Sequence, residues 1–237
     1  MPEATIARMD GVLVLDKPAG ISSARAVSIV KRLLPKDSGR RPKIGHAGTL
    51  DPFATGVLLL LIGRATKSCE RLMDQPKTYE TTIKLGATTE TDDPESAERI
   101  VERSSMLGPD LPQVETALNQ FVGAIEQRPP TFSAIKIAGR RACDRVREGE
   151  TVELKPRIVN IYSIDLLRFE YPFLQLKIDC GRGTYIRAIA RDLGEKLGVG
   201  GYLTQLRRTR IGQFSIADAV TPAQLSSENL SKCLRAV

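Results

Sequence analysis

The chain has no tryptophan, one histidine and four cysteines. The cysteines, at positions 69, 143, 180 and 233, are far apart and form no Cys-x-x-Cys pair. Zinc and iron–sulfur sites need clusters of such ligands, so neither is expected, and the thiols are predicted to be reduced and structural. A Gly-x-Gly-x-x-Gly fingerprint and a P-loop are also missing, which argues against a nicotinamide, flavin or nucleotide-phosphate site. The sequence therefore predicts neither a metal ion nor a cofactor.

Long apolar runs are missing as well. The longest covers residues 57–62, which is far shorter than the roughly 20 residues that span a bilayer. The amino-terminal segment carries Glu3 and Asp10 and lacks the basic-then-apolar order of a secretion signal. We therefore expect a cytoplasmic protein without a membrane partner. No sequence pattern indicates self-association, and a monomer is expected.

The net charge of +7 at pH 7 is unevenly distributed. Residues 86–102 are strongly acidic and are predicted to form a surface connection, whereas residues 128–147 and 180–210 are rich in arginine and lysine. Basic clusters are what a polyphosphate partner such as RNA or DNA requires. They are equally typical of a solvated surface, so charge alone favours nucleic-acid binding only modestly.

Hydrophobic periodicity predicts the secondary structure. Strands are predicted at residues 11–15, 57–62, 79–85, 97–101, 158–169 and 173–180. Helices are predicted from a cap at Ser22 or Ser23 to residue 34, at 64–73, from near residue 112, at 140–147 and at 184–197, the last closed by Gly198. Strands and helices are interspersed irregularly, with recurring hairpin-like strand pairs. This order favours an α+β fold with a mixed, largely antiparallel sheet flanked by helices.

The most informative segment is residues 45–56, with the sequence GHAGTLDPFATG. It places Asp51 directly before Pro52 in a loop punctuated by glycine. Glycine permits tight turns, and a proline keeps the preceding residue out of the helical region. A carboxylate on such a stiff loop is well placed to act on a substrate, although an Asp-Pro pair is also typical of an ordinary turn.

Six segments in a fixed order carry a resemblance to a known family. They lie at residues 11–23, 45–56, 63–67, 77–80, 128–136 and 180–187, and they include GVLVLDKPAGISS, RPPTFSAIK and CGRGTYIR. In this order and spacing they resemble the TruB family of tRNA pseudouridine synthases, over about residues 11–212. The resemblance implies the pseudouridine synthase fold and an enzyme that works without any cofactor.

The resemblance also implies the reaction. The family isomerises uridine to pseudouridine in the T loop of tRNA, at position 55, by cleaving the C1′–N1 bond and rejoining the uracil through C5. The implied partner is therefore the T arm of tRNA, and the target base must be extruded from its loop before it reacts. Asp51 matches the family's catalytic aspartate, which acts either as a nucleophile toward the sugar or as a base toward its C2′ proton. Both roles remain open.

Further site residues are implied by the same resemblance. Tyr79 would pack against the uracil, where stacking contributes about 1–3 kcal/mol per base. Arg187 would lie close to Asp51 and keep it ionised and oriented. The other substrate-contacting positions are His46, Tyr185 and Leu206, and the candidate phosphate contacts are Lys17, Lys67, Lys136, Arg141, Arg182 and Arg207. On sequence alone the tyrosines and the leucine suit a core equally well, His46 suits a structural role, and Arg187 suits a solvated helix face.

The domain organisation is implied in the same way. Residues 1–212 would form the catalytic domain, with an inserted segment at about 86–150 on the RNA-binding side. Residues 213–237 would form a short C-terminal extension. They are too few for the PUA-type RNA-binding module of many bacterial members, so that module is expected to be absent or truncated. Phe132 stands where the family often has tyrosine, which removes a hydroxyl and keeps the ring.

Two alternative functions involve different chemistry. A protein that binds tRNA without turnover would not need Asp51, Tyr79 and Arg187 together. A glycosidase acting on nucleosides or sugars would use two carboxylates that flank the bond, and no second carboxylate accompanies Asp51 in its loop.

Overall fold

A computed structural model describes residues 9–36, 39–102, 108–133, 135–137 and 139–236. Residues 1–8, which include Glu3 of the amino-terminal segment, lie outside this range. The chain divides into two compact units. Unit 1 comprises Met1–Thr78 and Arg207–Val237, and unit 2 comprises Tyr79–Leu206. No helix among the described residues has both the length and the apolar character needed to cross a membrane.

The secondary structure follows in chain order. The strands are β1 (Gly11–Lys17), β2 (Ile44–Ala47), β3 (Thr55–Ile62), β4 (Lys77–Leu85), β5 (Ala87–Thr88), β6 (Arg99–Ile100), β7 (Gly123–Gln127), β8 (Lys136–Ile137), β9 (Arg140–Arg141), β10 (Arg157–Glu170), β11 (Phe173–Cys180), β12 (Gly201–Ile211), β13 (Phe214–Ser215) and β14 (Leu234–Arg235). The α-helices are α1 (Ser23–Leu33), α2 (Cys69–Met73), α3 (Leu111–Asn119), α4 (Ala142–Arg147) and α5 (Ile186–Lys196). Short 3₁₀ helices cover Gly63–Ser68, Ile216–Asp218, Pro222–Gln224 and Leu230–Cys233.

Unit 1 is built on a mixed sheet with the strand order β14-β1-β3-β12, in which β2 pairs with β3 and β13 pairs with β12. Strands β1 and β3 are antiparallel, with Lys17 opposite Gly56, whereas β12 and β3 are parallel, with Arg208 opposite Gly56. Residues 56–62 of β3 are all buried, which confirms the buried strand predicted at residues 57–62. Alternate residues of β1 and β3 form one apolar core with residues of β2, α2, β12 and β13.

Helix α1 begins where the sequence predicts. Ser22 caps it, because its side chain accepts a hydrogen bond of 3.1 Å from the Arg25 amide. Ser23, the other predicted cap, is the first helical residue and is buried. The helix predicted at residues 64–73 is instead a 3₁₀ helix followed by the short α2.

Unit 2 contains a largely antiparallel sheet with the strand order β12-β4-β11-β10-β7. Strands β10 and β11 form a long antiparallel hairpin, and β7 pairs antiparallel with β10. In β11, Leu174, Leu176 and Ile178 are buried while Phe173 and Gln175 are exposed, so the predicted alternation of wet and dry faces is confirmed.

The two longest helices of unit 2 have clear sequence signals at their ends. In α3, Asp110 and Gln113 form a capping box, in which each side chain bonds the backbone of the other residue. In α5, the apolar stripe that includes Ile189 and Leu193 is buried, and Gly198 follows the helix with a φ of +68°.

The α+β class with a mixed, largely antiparallel sheet is confirmed, but several local predictions are corrected. The strand predicted at 97–101 is reduced to β6, and the helix predicted at 140–147 begins only at Ala142 because the preceding arginines pair with β8. Strands β2, β7 and β12 were not predicted. In β12 the polar residues interrupt the apolar ones, which hides the strand in a basic segment. The acidic segment is not wholly a surface connection, since Asp93 is 1% exposed.

Candidate active site

The Asp51 loop joins β2 to β3 in unit 1, and hydrogen bonds hold it on both sides of the aspartate. Ser23, which is 2% exposed, donates to the Leu50 carbonyl and accepts from the Leu50 amide, both at 2.9 Å. The Pro52 carbonyl accepts from the Gly20 amide at 2.9 Å. The backbone on either side of Asp51 is therefore fixed, to the first residue of α1 on one side and to the β1–α1 connection on the other, which is the arrangement that a preorganised carboxylate needs.

Lys17 supports the same loop from below the surface. It is fully buried, and its ammonium group donates to the carbonyls of Pro18 (2.9 Å), Ile21 (2.8 Å) and Pro52 (3.2 Å). A buried charge is tolerated only when it is hydrogen-bonded in this way. The burial argues against the phosphate contact predicted for Lys17 and makes it a support of the Asp51 loop.

His46 lies on β2, opposite Leu60 of β3. Burial lowers the pKa of His46 below its usual 6.5, and the positive charge of Arg208 lowers it further. Its Nδ1 atom is buried and has no hydrogen-bond partner. The imidazole is therefore neutral at pH 7, so it can contact a substrate by hydrogen bonding or packing without a charge.

The other predicted phosphate contacts of unit 1 differ in accessibility. Lys67 is exposed at the end of a 3₁₀ helix. The side chain of Arg207 is 40% exposed, and its guanidinium donates to the Asp16 carboxylate at 2.9 Å and to the Thr55 hydroxyl at 3.3 Å. A phosphate would therefore have to compete with Asp16 and Thr55 for the N–H donors of Arg207, whereas Lys67 is exposed to solvent.

In unit 2, Tyr185 directly precedes α5 and is held from two directions. The side-chain amide of Gln127, a residue that is 1% exposed, accepts from the Tyr185 amide at 2.8 Å and donates to the Tyr185 carbonyl at 3.1 Å. The guanidinium of Arg157 lies 5.2 Å from the centre of the Tyr185 ring and donates to the Gly183 carbonyl. Neither Gln127 nor Arg157 was singled out from the sequence, because each is remote from Tyr185 along the chain.

Arg187 is 3% exposed, so a solvated position on α5 is wrong for it. Its guanidinium donates to the Asp93 carboxylate at 3.0 Å and to the carbonyls of Thr91 and Phe132, both at 2.9 Å. Asp93 in turn accepts from the Glu95 amide at 3.0 Å. Asp93 is a further site-associated residue that sequence reasoning missed. The only local signal is a Thr-Asp-Asp-Pro turn, in which aspartate side chains commonly bond nearby backbone.

A second arginine of α5 holds the neighbouring chain segments. Arg191 donates to the Asp92 carboxylate at 3.2 Å and to the Arg128 carbonyl at 2.8 Å. Burial raises the pKa of Asp92 to about 6, and this effect is larger than the opposing attraction of Arg191. Together with Arg187, this arginine ties both the acidic segment and the start of the 128–133 segment to α5.

The remaining predicted residues of unit 2 fall into buried and exposed groups. Tyr79 and Leu206 are 8% and 7% exposed and lie on the neighbouring strands β4 and β12. Arg182 is exposed in the connection before α5. Lys136 and Arg141 lie opposite each other on β8 and β9, and their side chains are outside what the structure describes.

Each unit holds its own set of candidate groups. In unit 1, the carboxylate of Asp51 lies on a fixed loop that follows the strand carrying the neutral His46. Unit 2 holds the buried guanidinium of Arg187 and the side chains of Tyr79 and Tyr185. Within the part of the chain that the structure describes, no group of three His, Cys, Asp or Glu side chains could hold a metal ion. A lone carboxylate of this kind can serve as a nucleophile or as a general base.

Two family models match the chain. Residues 31–186 match the model described as the TruB family pseudouridylate synthase N-terminal domain. Residues 187–237 match the tRNA pseudouridylate synthase B C-terminal domain.

Curated proteins and a solved structure agree with these models. The chain is 47% identical over 221 residues to the tRNA pseudouridine synthase B of Corynebacterium diphtheriae, covering 91% of this chain and 72% of that protein. It is 42% identical over 236 residues to the protein of the same name from Xylella fastidiosa, covering 100% and 74%. It is also similar to a chain in the crystal structure of a Cbf5–Nop10–Gar1 complex, with 27% identity and a TM-score of 0.72, covering 96% of this chain and 60% of that one.

Proposed function

Because this chain belongs to the TruB family and is a tRNA pseudouridine synthase, we propose that it acts on uridine 55 in the T loop of tRNA with Asp51 as its essential carboxylate. The observation that supports this role is the fixed loop: hydrogen bonds on both sides hold the Asp51 backbone. Catalysis by a single group benefits from such preorganisation, because a displacement of about 1 Å can cost about 100-fold in rate.

The proposed reaction is an isomerisation in which atoms and electrons balance within the substrate. The C1′–N1 bond breaks, the uracil turns, a C1′–C5 bond forms, and the proton leaves C5 while N1 gains one. Asp51 contributes in one of two ways: it attacks C1′ and is later displaced, or it removes the C2′ proton and later returns it. Neither route requires an external redox partner or a group donor.

The substrate-binding residues are proposed on the same basis. The target base leaves its loop, and Tyr79 stacks on the uracil. His46, Tyr185, Leu206 and Arg187 contact the substrate. The fixed positions of Tyr185 and Arg187 in unit 2 support these assignments, since two hydrogen bonds from Gln127 hold Tyr185 and bonds to Asp93 and Phe132 hold Arg187.

The proposed partner surface is basic. Lys67 and Arg182 are exposed, and the side chain of Arg207 is 40% exposed; we propose these three, with Lys136 and Arg141 of β8 and β9, as the phosphate contacts. We further propose that residues 1–212 act as the catalytic domain, with the segment at about 86–150 on the RNA side, and that the chain binds the T arm as a monomer. Binding through phosphates releases counterions, so affinity should fall steeply as salt rises.

The test uses pure protein and an unmodified tRNA transcript without additives. Pseudouridine should form at position 55, and a transcript with cytidine there should remain unmodified. Asp51→Asn should abolish the product while the dissociation constant for tRNA stays within a few fold. The matched control is Asp165→Asn, since Asp165 is an aspartate of which 54% of the side chain is exposed, and it should retain full turnover. Product formation by Asp51→Asn would reject the role of Asp51, and modification at a different uridine would reject the assignment to position 55.

A further inference from the structure

Arg208 is a buried arginine of unit 1 that belongs to no predicted site. It lies on β12 and is 1% exposed. Its guanidinium donates to three backbone carbonyls, those of Val57 at 2.8 Å, Gly48 at 3.0 Å and Thr49 at 3.4 Å. Two of these carbonyls precede Asp51 in the loop, and the third belongs to β3, which follows the loop, so a single side chain bonds the entry of the loop and the strand at its exit.

The backbone of Arg208 holds the same loop at its exit. Strand β12 pairs in parallel with the start of β3, where Arg208 is opposite Gly56. A Cβ atom on Gly56 would lie 2.2 Å from the Arg208 carbonyl oxygen, and Gly56 has a φ of +101°, a conformation that favours glycine. The strand therefore approaches the loop so closely that only glycine fits, and this approach brings the guanidinium to the carbonyls on the entry side.

The geometry suits arginine and no other residue. A guanidinium presents several N–H donors in a rigid plane, so it can bond three carbonyls that point in different directions. Each of the three carbonyls is bonded by a different nitrogen of Arg208. A lysine can also donate three hydrogen bonds, as Lys17 does, but all from one nitrogen, and a glutamine has one short, uncharged amide nitrogen. Neither can place separate donor atoms at the three carbonyl positions.

We propose that Arg208 is a positioning residue for catalysis: it holds the entry and exit of the Asp51 loop in one arrangement and thereby sets the position of the carboxylate. This proposal rests on the proposed role of Asp51. Arg208 does not contact the reacting atoms in this account; it acts through the loop backbone. The expected consequence is a loss in the chemical step that exceeds any loss in tRNA affinity.

The pKa of His46 can report whether the Arg208 guanidinium is in place. His46 is the only histidine in the chain, and the charge of Arg208 contributes to lowering the His46 pKa. Its imidazole signal can therefore be titrated by NMR without assignment of other histidines. Removal of the positive charge in Arg208→Gln should raise the His46 pKa relative to the parent protein.

The experiment compares Arg208→Lys and Arg208→Gln with the control Arg210→Gln. Arg210 is an exposed arginine two positions further along the same strand, and it donates to the Thr78 hydroxyl at 3.0 Å. Single-turnover rates are measured at saturating enzyme, dissociation constants for tRNA are measured in parallel, and thermal unfolding sets a temperature at which every variant is folded. Both Arg208 variants should lose about 100-fold in rate with affinity within threefold, and Arg210→Gln should keep its rate.

Several outcomes would overturn the proposal. A normal single-turnover rate in either folded Arg208 variant would do so, as would equal losses of rate and affinity. Failure of both variants to fold would assign Arg208 a purely structural role instead. An Asp51→Asn protein measured alongside separates the two claims: if that protein is inactive while the Arg208 variants turn over normally, only the positioning role fails. If Asp51→Asn is active, the proposed function itself fails.

Discussion

The ion pair between Arg187 and Asp93 permits a sharp prediction about stability. Both side chains are almost fully buried, at 4% and 1% exposed, and their charged atoms are 3.0 Å apart. Asp93→Leu removes a carboxylate partner of Arg187, and Arg187→Met removes the cation. We expect each single variant to be much less stable than the parent protein, and the double variant to be less affected than the two single effects together.

The expected magnitude follows from the burial. Removing one partner of a buried pair costs about 3–5 kcal/mol, because the other charge remains without full compensation in a medium of low polarity. Arg187 would keep its hydrogen bonds to the Thr91 and Phe132 carbonyls, so we expect Asp93→Leu at the lower end, about 3 kcal/mol. The double variant removes both charges, and the coupling energy should be about 1–3 kcal/mol.

The assay is urea unfolding followed by circular dichroism, with the free energies of the four proteins forming a double-mutant cycle. The matched control is the same cycle on Arg168 and Glu170, whose side chains form an ion pair of 2.6 Å but are 67% and 73% exposed. That pair should couple by less than about 1 kcal/mol. A loss below about 1 kcal/mol in Asp93→Leu, or strict additivity in the buried cycle, would refute the reasoning.

Three further predictions concern single positions. Because the pKa of Asp92 is raised to about 6 from 3.8, its protonation stabilises the fold fully below pH 3.8 and this stabilisation is lost as the pH rises through 6. Relative to the parent protein, the free energy of unfolding of Asp92→Asn should therefore rise by about 3 kcal/mol as the pH increases from well below 3.8 to well above 6, and a constant difference across the titration would contradict this. Lys17→Met should cost about 2–4 kcal/mol in urea unfolding, because buried carbonyls lose a charged donor, while the exposed Lys67→Met should change stability by no more than about 0.5 kcal/mol. Gly56→Ala should prevent stable folding, because its Cβ would lie 2.2 Å from a carbonyl oxygen, whereas Gly45→Ala, with nothing within 4 Å of its Cβ, should fold normally; equal thermal midpoints would contradict the steric argument.

Local sequence signals account for much of the architecture. The run at residues 57–62 is apolar throughout and is buried throughout, and the alternation in β11 matches its exposed and buried residues. The stripe on α5 and the glycine after it predict that helix to within two residues at its start. These features succeed because their periodicity is set by short-range geometry, which the neighbouring residues along the chain determine.

The Asp51 loop is partly of this local kind. Its glycines and Pro52 indicate a turn, and the six motifs in order indicate the family. The sequence does not reveal what holds the loop. Ser23 is 27 residues from the Leu50 amide that it bonds, and Arg208 is 160 residues from the Gly48 carbonyl. A serine that caps a helix and a serine that bonds a distant loop look the same in sequence, and so do a solvated arginine and a buried one. Composition therefore cannot distinguish these roles.

What the sequence alone determined is the class of fold and the family, and its resemblance to that family also supplied the proposal that Asp51 is the essential carboxylate. The tertiary structure decided which charges are buried: Lys17 became a support of the loop, Asp93 became the partner of Arg187, and Arg208 joined both ends of the Asp51 loop. Such pairings depend on segments far apart in the chain that meet only when strands such as β3 and β12 pair. The sequence shows the same charged residue whether its side chain is solvated by water or buried and hydrogen-bonded to backbone carbonyls.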